Sequence, residues 1–251
     1  MRKRTLISAI ALMGLIPLTA AAQDEQVPQG YSYVTYYVCD MAKQGNMDNI
    51  VENNEVAVFD QWVEDGKLLS WGYLSHFVGG RWRRAQYHVS ATLEEALSNQ
   101  REILGEVYAD NRAGGQARAE ACSAHDDYLW TLDQGSPPGT DRGNVSLSVY
   151  FECSVADQGR ADEIFAEAFA PQFTEMQEQG RISSWGWQSH VLGGKFRRLQ
   201  TLTGSDHASV TAARLDVLRN VNQEHSAMGR EFSQICHSHV DYLWDIVHES
   251  P

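Results

Sequence analysis

The chain has 251 residues, with 20 Lys and Arg against 33 Asp and Glu, 43% hydrophobic residues and four cysteines. That apolar content excludes a disordered chain, and the length suits one large or two small domains. A formal charge of −13 argues against nucleic acid as a partner, because phosphate neutralisation requires a basic surface.

At the N-terminus, Arg2, Lys3 and Arg4 precede an apolar run from Leu6 to Leu18, which is short for a membrane span. Ala20, Ala21 and Ala22 then supply the small residues that a signal peptidase needs. Residues 1–22 are expected to be a cleaved secretory signal, and the product to be periplasmic or secreted, without membrane association. Cleavage leaves 17 basic and 33 acidic residues. Residues 23–30 read as a disordered lead-in.

The remainder is one unit written twice. Residues 33–135 align without gaps on 147–249, an offset of 114, with 30 of 103 positions identical. One block, Ser70-Trp71-Gly72 with Ser75-His76, Gly79-Gly80 and Arg83-Arg84, recurs from Ser184 to Arg198. A second, Cys122-x-x-His125-x-Asp127-Tyr128-Leu129-Trp130, recurs from Cys236 to Trp244. The repeats are taken as 31–135 and 145–251, joined by a Pro/Gly-rich linker at 136–144.

Each repeat reads β-α-β-β-α-β. Tyr33 to Asp40 is rich in β-formers, and Leu147, Val149 and Phe151 alternate with polar or smaller neighbours, as in a half-buried strand. Met47, Ile50, Val51, Val58, Phe59 and Trp62 fall near helical spacing, and Gly66 and Gly180 stop the equivalent helices. Leu68–Val78 and Arg81–Val89 form a hairpin around Gly79-Gly80. Thr92 and Glu95 make a capping box for a second helix, with Leu93, Ala96, Leu97, Ile103, Leu104 and Val107 as its buried stripe. Asp127 to Leu132 is a short last strand.

With sheet order 4-1-3-2, the end of strand one meets the start of strand four. That favours Cys39–Cys122 and Cys153–Cys236 disulfides, one in each repeat, in an oxidising compartment. The competing reading is a thiolate metal site with His125 or His239.

This tandem arrangement resembles the dimeric α+β barrel (ferredoxin-like) superfamily over residues 31 to 249, and is similar in look to NIPSNAP-like and EthD-like barrel proteins. The superfamily includes antibiotic-biosynthesis monooxygenases, muconolactone isomerases and haem-binding chlorite dismutases. The resemblance implies an α+β fold in which two ferredoxin-like units form one pseudo-dimeric barrel, with helices outside and a ligand cavity within or beneath it. It implies no single chemistry.

A two-residue hairpin loop sets His76 opposite Arg83 and His190 opposite Arg197, on one face at about 5 Å. Two such cations call for a low-titrating His or an anion between them. His76 and His190 are thus candidate proton carriers with Tyr36 and Tyr150, which point towards the expected barrel interior. The other hairpin face carries Trp71, Arg84 and Gln86, matched by Trp185, Arg198 and Gln200. Rings beside fixed donors suit a sugar or a planar aromatic, while the bland reading buries both tryptophans in the core. Periodicity leaves open which face points inward. His125 with Asp127, and His239 with Asp241, share a strand face, so each carboxylate is a candidate orienter of its imidazole.

The expected function is a small-molecule-binding barrel, with or without nucleotide-cofactor-independent lyase, isomerase or monooxygenase chemistry. Its ligand would be anionic or sugar-like and held by Arg83, Arg84, Arg197 and Arg198. One alternative is a non-catalytic envelope assembly or protein-contact module with a Trp/Tyr-filled interior. Another is a haem barrel with an axial ligand among His76, His190, His125 and His239. No metal site and no nucleotide fingerprint are read, and a homo-oligomer stays open. The repeats differ at Tyr73/Trp187, His88/Leu202 and Leu74/Gln188, so one copy can hold the working site while the other is scaffold.

Overall fold

Aromatic and β-branched residues build the first strand, β1 (Tyr31–Val38). The computed structural model describes residues 29–250, so the expected signal segment 1–22 and nearly all of the lead-in lie outside the described residues. Next come α1 (Gln44–Ile50), a π-helical turn (Val51–Glu55) and α2 (Val56–Glu64). Gly66, at φ +71°, ends this arm. The hairpin follows as β2 (Ser70–Val78) and β3 (Arg84–Ser90). Thr92 caps α3 (Leu93–Tyr108), where the Glu95 N–H donates to Thr92 Oγ1 at 3.2 Å and the Thr92 N–H to Glu95 Oε2 at 3.0 Å. Then come α4 (Arg112–Ala121) and β4 (Ala124–Gly135).

The second repeat has the same frame. It comprises β5 (Val145–Glu152), α5 (Gln158–Ile164), a π-helical turn (Phe165–Phe169) and α6 (Ala170–Glu178). After these come β6 (Ser184–Leu192), β7 (Arg198–Gly204), α7 (His207–Glu224), α8 (Ser226–Ile235) and β8 (Ser238–Ser250).

Within each repeat the antiparallel order is 4-1-3-2, and the two sheets join into one closed barrel, β1-β3-β2-β8-β5-β7-β6-β4. Closure runs through the last strands, since β4 pairs with β6 and β8 with β2. This explains why β4 is longer than the expected 127–132. Ala124 to Thr131 pairs with β1, while Leu129 to Gly135 pairs with β6 across two register shifts.

The hairpin glycines serve this closure as well as the turn. A Cβ on Gly79, at φ +146°, would lie 2.4 Å from the ring of Tyr242 in the other repeat. A Cβ on Gly80 would lie 2.5 Å from that hydroxyl, and Gly193 and Gly194 cradle Tyr128 in the same way. Each loop thus holds a tyrosine of the opposite repeat's last strand.

Three buried cores result. One lies under the helices of each repeat, and a third fills the barrel with residues of both, including Tyr36, Trp82, Trp130, Tyr150, Phe196 and Trp244. The buried stripe of α3 is Ala96, Asn99, Ile103 and Val107, whereas Leu93 and Leu97 are exposed. Leu93 and Leu97 lie off the 96-103-107 face, so apolarity misled where spacing did not. Disulfides join Cys39 to Cys122 and Cys153 to Cys236, each across 83 residues. Closing loops of that length removes unfolded-state entropy worth roughly 4–5 kcal/mol apiece.

Candidate functional site

Strand register decides which expected site residues meet. The His76 N–H donates to the Arg83 carbonyl at 3.0 Å, which sets His76 opposite Arg83 on the barrel-facing side at the hairpin end. Arg83 Nη1 lies 3.5 Å from His76 Nε2, and Arg197 Nη1 lies 2.9 Å from His190 Nδ1. Burial, then the neighbouring guanidinium, lowers the pKa of both imidazoles. Each stands edge-on to the Tyr and Trp of the other repeat's last strand: His76 to Tyr242 and Trp244, His190 to Tyr128 and Trp130.

Tyr36 and Tyr150 meet at the barrel centre, with ring centroids 5.3 Å apart. Burial raises both phenol pKa values, so they are neutral hydrogen-bonding groups. The hairpin end above them is plugged by Trp82, stacked on Tyr36 at 4.3 Å, and by Phe196. The histidines are therefore a ring away from the tyrosines, and the four do not form one cluster.

The other hairpin face lies under the helices, outside the barrel. Arg84 grips Asp48 of α1 through Nε at 2.5 Å and Nη2 at 2.6 Å, and Arg198 grips Asp162 of α5 at 2.6 Å through both. Gln44 and Gln158 complete the two clamps. These guanidinium groups already hold bidentate carboxylates. Trp71 donates to Asp60 at 2.8 Å beneath α2, and Trp185 packs against Phe165 and Phe173. At the start of the last strands, His125 Nδ1 lies 3.1 Å from Asp127, and His239 Nδ1 lies 2.8 Å from Asp241.

The decisive difference between the repeats is in this helix-side layer. In repeat 1, Glu55 ends the π-turn fully buried and accepts from Gln86 Nε2 at 2.7 Å and from the Tyr108 hydroxyl. Arg118 of α4 pairs with it at 3.3 Å and donates to Gln86 Oε1 at 2.9 Å and to the Tyr37 hydroxyl. Burial pushes the Tyr37 phenol up to about 12, against the pull of Arg118. A charged, cross-bonded cluster fills the space.

In repeat 2, phenylalanines stand at the positions of Glu55, Arg118, Tyr37 and Val51, namely Phe169, Phe232, Phe151 and Phe165, and Asn222 replaces Tyr108. The result is a cavity of about 160 Å3 between the sheet, the π-turn and α7–α8. Gln200, 5% exposed, remains from the polar cluster, but its Nε2 has no partner. Arg214 of α7 also lines the space; Nη1 donates to Asp241 at 3.1 Å, while its buried Nε has no partner. His239 lies at the rim. The cavity thus combines four aromatic rings with two orphaned donors. Of its lining, Gln200, His239 and the disulfide cysteine Cys236 were singled out from sequence as site residues. The repeat alignment did hold the signal, in four positions where the second copy alone has Phe.

No family model matches the sequence, and no curated protein matches it. Solved structures do. The chain is similar to an anthrone oxidase-like protein (TM-score 0.61, 9% identity, 88% of this chain and 93% of that one). It is also similar to a haem-binding protein from Thermus thermophilus (0.54, 9%, 89% and 96%). A third is a chlorite dismutase variant from Candidatus Nitrospira defluvii (0.55, 9%, 89% and 92%).

The fold is the dimeric α+β barrel. In this barrel the two halves are repeats of one chain.

Haem, which the name of one of these similar proteins raises, does not fit the second repeat's cavity. The space matches the roughly 150 Å3 cavity that holds a single benzene ring. The imidazole at its rim is held through Nδ1 by Asp241, and Phe151 packs beside it at 5.7 Å. Among the described residues, no group of three or more His, Cys, Asp or Glu is placed to hold a metal ion.

Proposed function

We propose that this protein binds a single-ring aromatic carboxylate or phenolate in the cavity of its second repeat, the first repeat serving as scaffold. The observation that carries this is the contrast at equivalent positions, where a closed charged cluster in one copy becomes a ring-lined space with two unpartnered donors in the other. The phenylalanines supply faces and edges for a ring, and Gln200 and Arg214 supply donors for an anionic oxygen. An anthrone oxidase-like neighbour supports an aromatic ligand, and the signal-like residues 1–22 support a periplasmic or secreted protein.

A second reading, proton transfer, rests on His239. With Nδ1 held by Asp241, its Nε2 is the nitrogen left to exchange a proton with a bound ligand. That reading makes the protein an enzyme of the lyase or isomerase type.

Calorimetric titration with benzoate tests the binding. It should saturate with a Kd below about 1 mM, whereas toluene, which offers no acceptor, should bind at least tenfold more weakly. Asn222→Tyr restores the residue that fills the first repeat and should abolish binding. Silence up to 10 mM benzoate, or full binding by a folded Asn222→Tyr protein, would overturn the proposal. Added haemin should give no shifted Soret band.

A further inference from the structure

The end of the barrel opposite the hairpin loops holds a separate cavity of about 110 Å3, covered by the linker. Both repeats contribute polar and apolar residues to its walls. Repeat 1 supplies Val34, Leu74, Ala85 and Val89 together with Ser32 and Ser70. Repeat 2 supplies Ser148, Gln188 and Thr201 together with Trp185 and Leu199, and Gln188 and Thr201 stand at the positions of Leu74 and Tyr87. The floor is the Tyr36 and Tyr150 pair.

Charge is cancelled here. The charged side chains that line this cavity are Arg142 of the linker and Glu249 of β8. They pair at 2.8 Å, and Arg142 also donates to the Tyr87 hydroxyl at 2.6 Å, which donates in turn to Glu249. An anion would find Arg142 already answered, and a cation would find Glu249 answered. Gln188 Oε1 is buried without a partner, so a purely apolar occupant would leave an acceptor stranded. What satisfies this mixed lining is a neutral molecule that carries hydroxyl donors on a short carbon chain.

We propose that this cavity is a second binding site, independent of the aromatic one, for a neutral polyol of three or four carbons. Fusion of the repeats into one chain is what lets Gln188 and Thr201 replace Leu74 and Tyr87 in one copy only.

Erythritol titrated into the protein and followed by NMR tests this, with tartrate as the charged four-carbon control. Erythritol shifts should saturate with a midpoint at or below about 10 mM, the lower bound of efficiency for so small a ligand. Tartrate should bind at least tenfold more weakly. Gln188→Leu should weaken erythritol at least threefold, and the near-isosteric Thr201→Val should do so in a chain whose fold is undisturbed. Benzoate binding should be unchanged in both, which separates this site from the other cavity. No saturable erythritol shift, equal binding of tartrate, or indifference to Thr201→Val would overturn the proposal.

Discussion

His88 gives the sharpest stability prediction. Its ring is 2% exposed, stacked on Tyr33 at 5.6 Å, with Nε2 3.1 Å from Gln100 Oε1. Burial holds its pKa down at about 4, below the ordinary value of 6.5. Between those two pH values the unfolded chain takes up a proton that the folded chain refuses. Stability must therefore fall as pH falls through that window, by up to about 1.4 kcal/mol per pH unit and roughly 3 kcal/mol in total. Above pH 6.5 both states are neutral and the group contributes no slope. His88→Leu installs the residue found at the equivalent position 202. Urea unfolding of both proteins at about pH 7.5 and about pH 4 isolates the effect, because the carboxylates are common to both. The variant should gain roughly 3 kcal/mol relative to the parent on moving from the higher pH to the lower. A relative gain below about 1 kcal/mol would refute the reasoning.

Two further outcomes follow from packing. Arg118→Met leaves the Glu55 carboxylate buried without its cation and should cost about 3–5 kcal/mol, while the double variant Glu55→Phe/Arg118→Phe, the solution repeat 2 uses, should recover at least about 2 kcal/mol. Denaturant midpoints decide it, and a double variant no more stable than the single one would contradict the account. Gly79→Ala should destabilise by about 2–4 kcal/mol through its positive φ and the Tyr242 ring, whereas Gly105→Ala, an exposed helical position with nothing within 4 Å, should stabilise by about 0.5–1 kcal/mol. Thermal melts that rank the two substitutions the other way would refute the steric reading.

Much of the fold was legible because it is repeated. The offset of 114 located both units, the placing of strand four beside strand one paired the cysteines, and Gly66, Gly180 and the Thr92 cap marked helix ends. The length of β4 was not legible, because it depends on pairing with the other repeat, which no local pattern records. The hairpin faces were ambiguous for a similar reason: both are apolar enough to bury, and both are buried, one in the barrel and one under helices. Arg84 and Arg198 drew attention as matched cations, yet their partners Asp48 and Asp162 were also matched in the alignment. The cavity escaped because identities between repeats mark what holds the frame, while the cavity was made by differences.

The central claim is that ligand space opens in the second repeat at the place where the first is sealed. A crystal structure of the protein soaked in benzoate tests it most directly. The ring should lie among Phe151, Phe165, Phe169 and Phe232, with its carboxylate on Gln200 and Arg214 and the matching region of the first repeat closed. Benzoate found in the first repeat or within the barrel, or an empty second-repeat cavity at saturating benzoate, would contradict it.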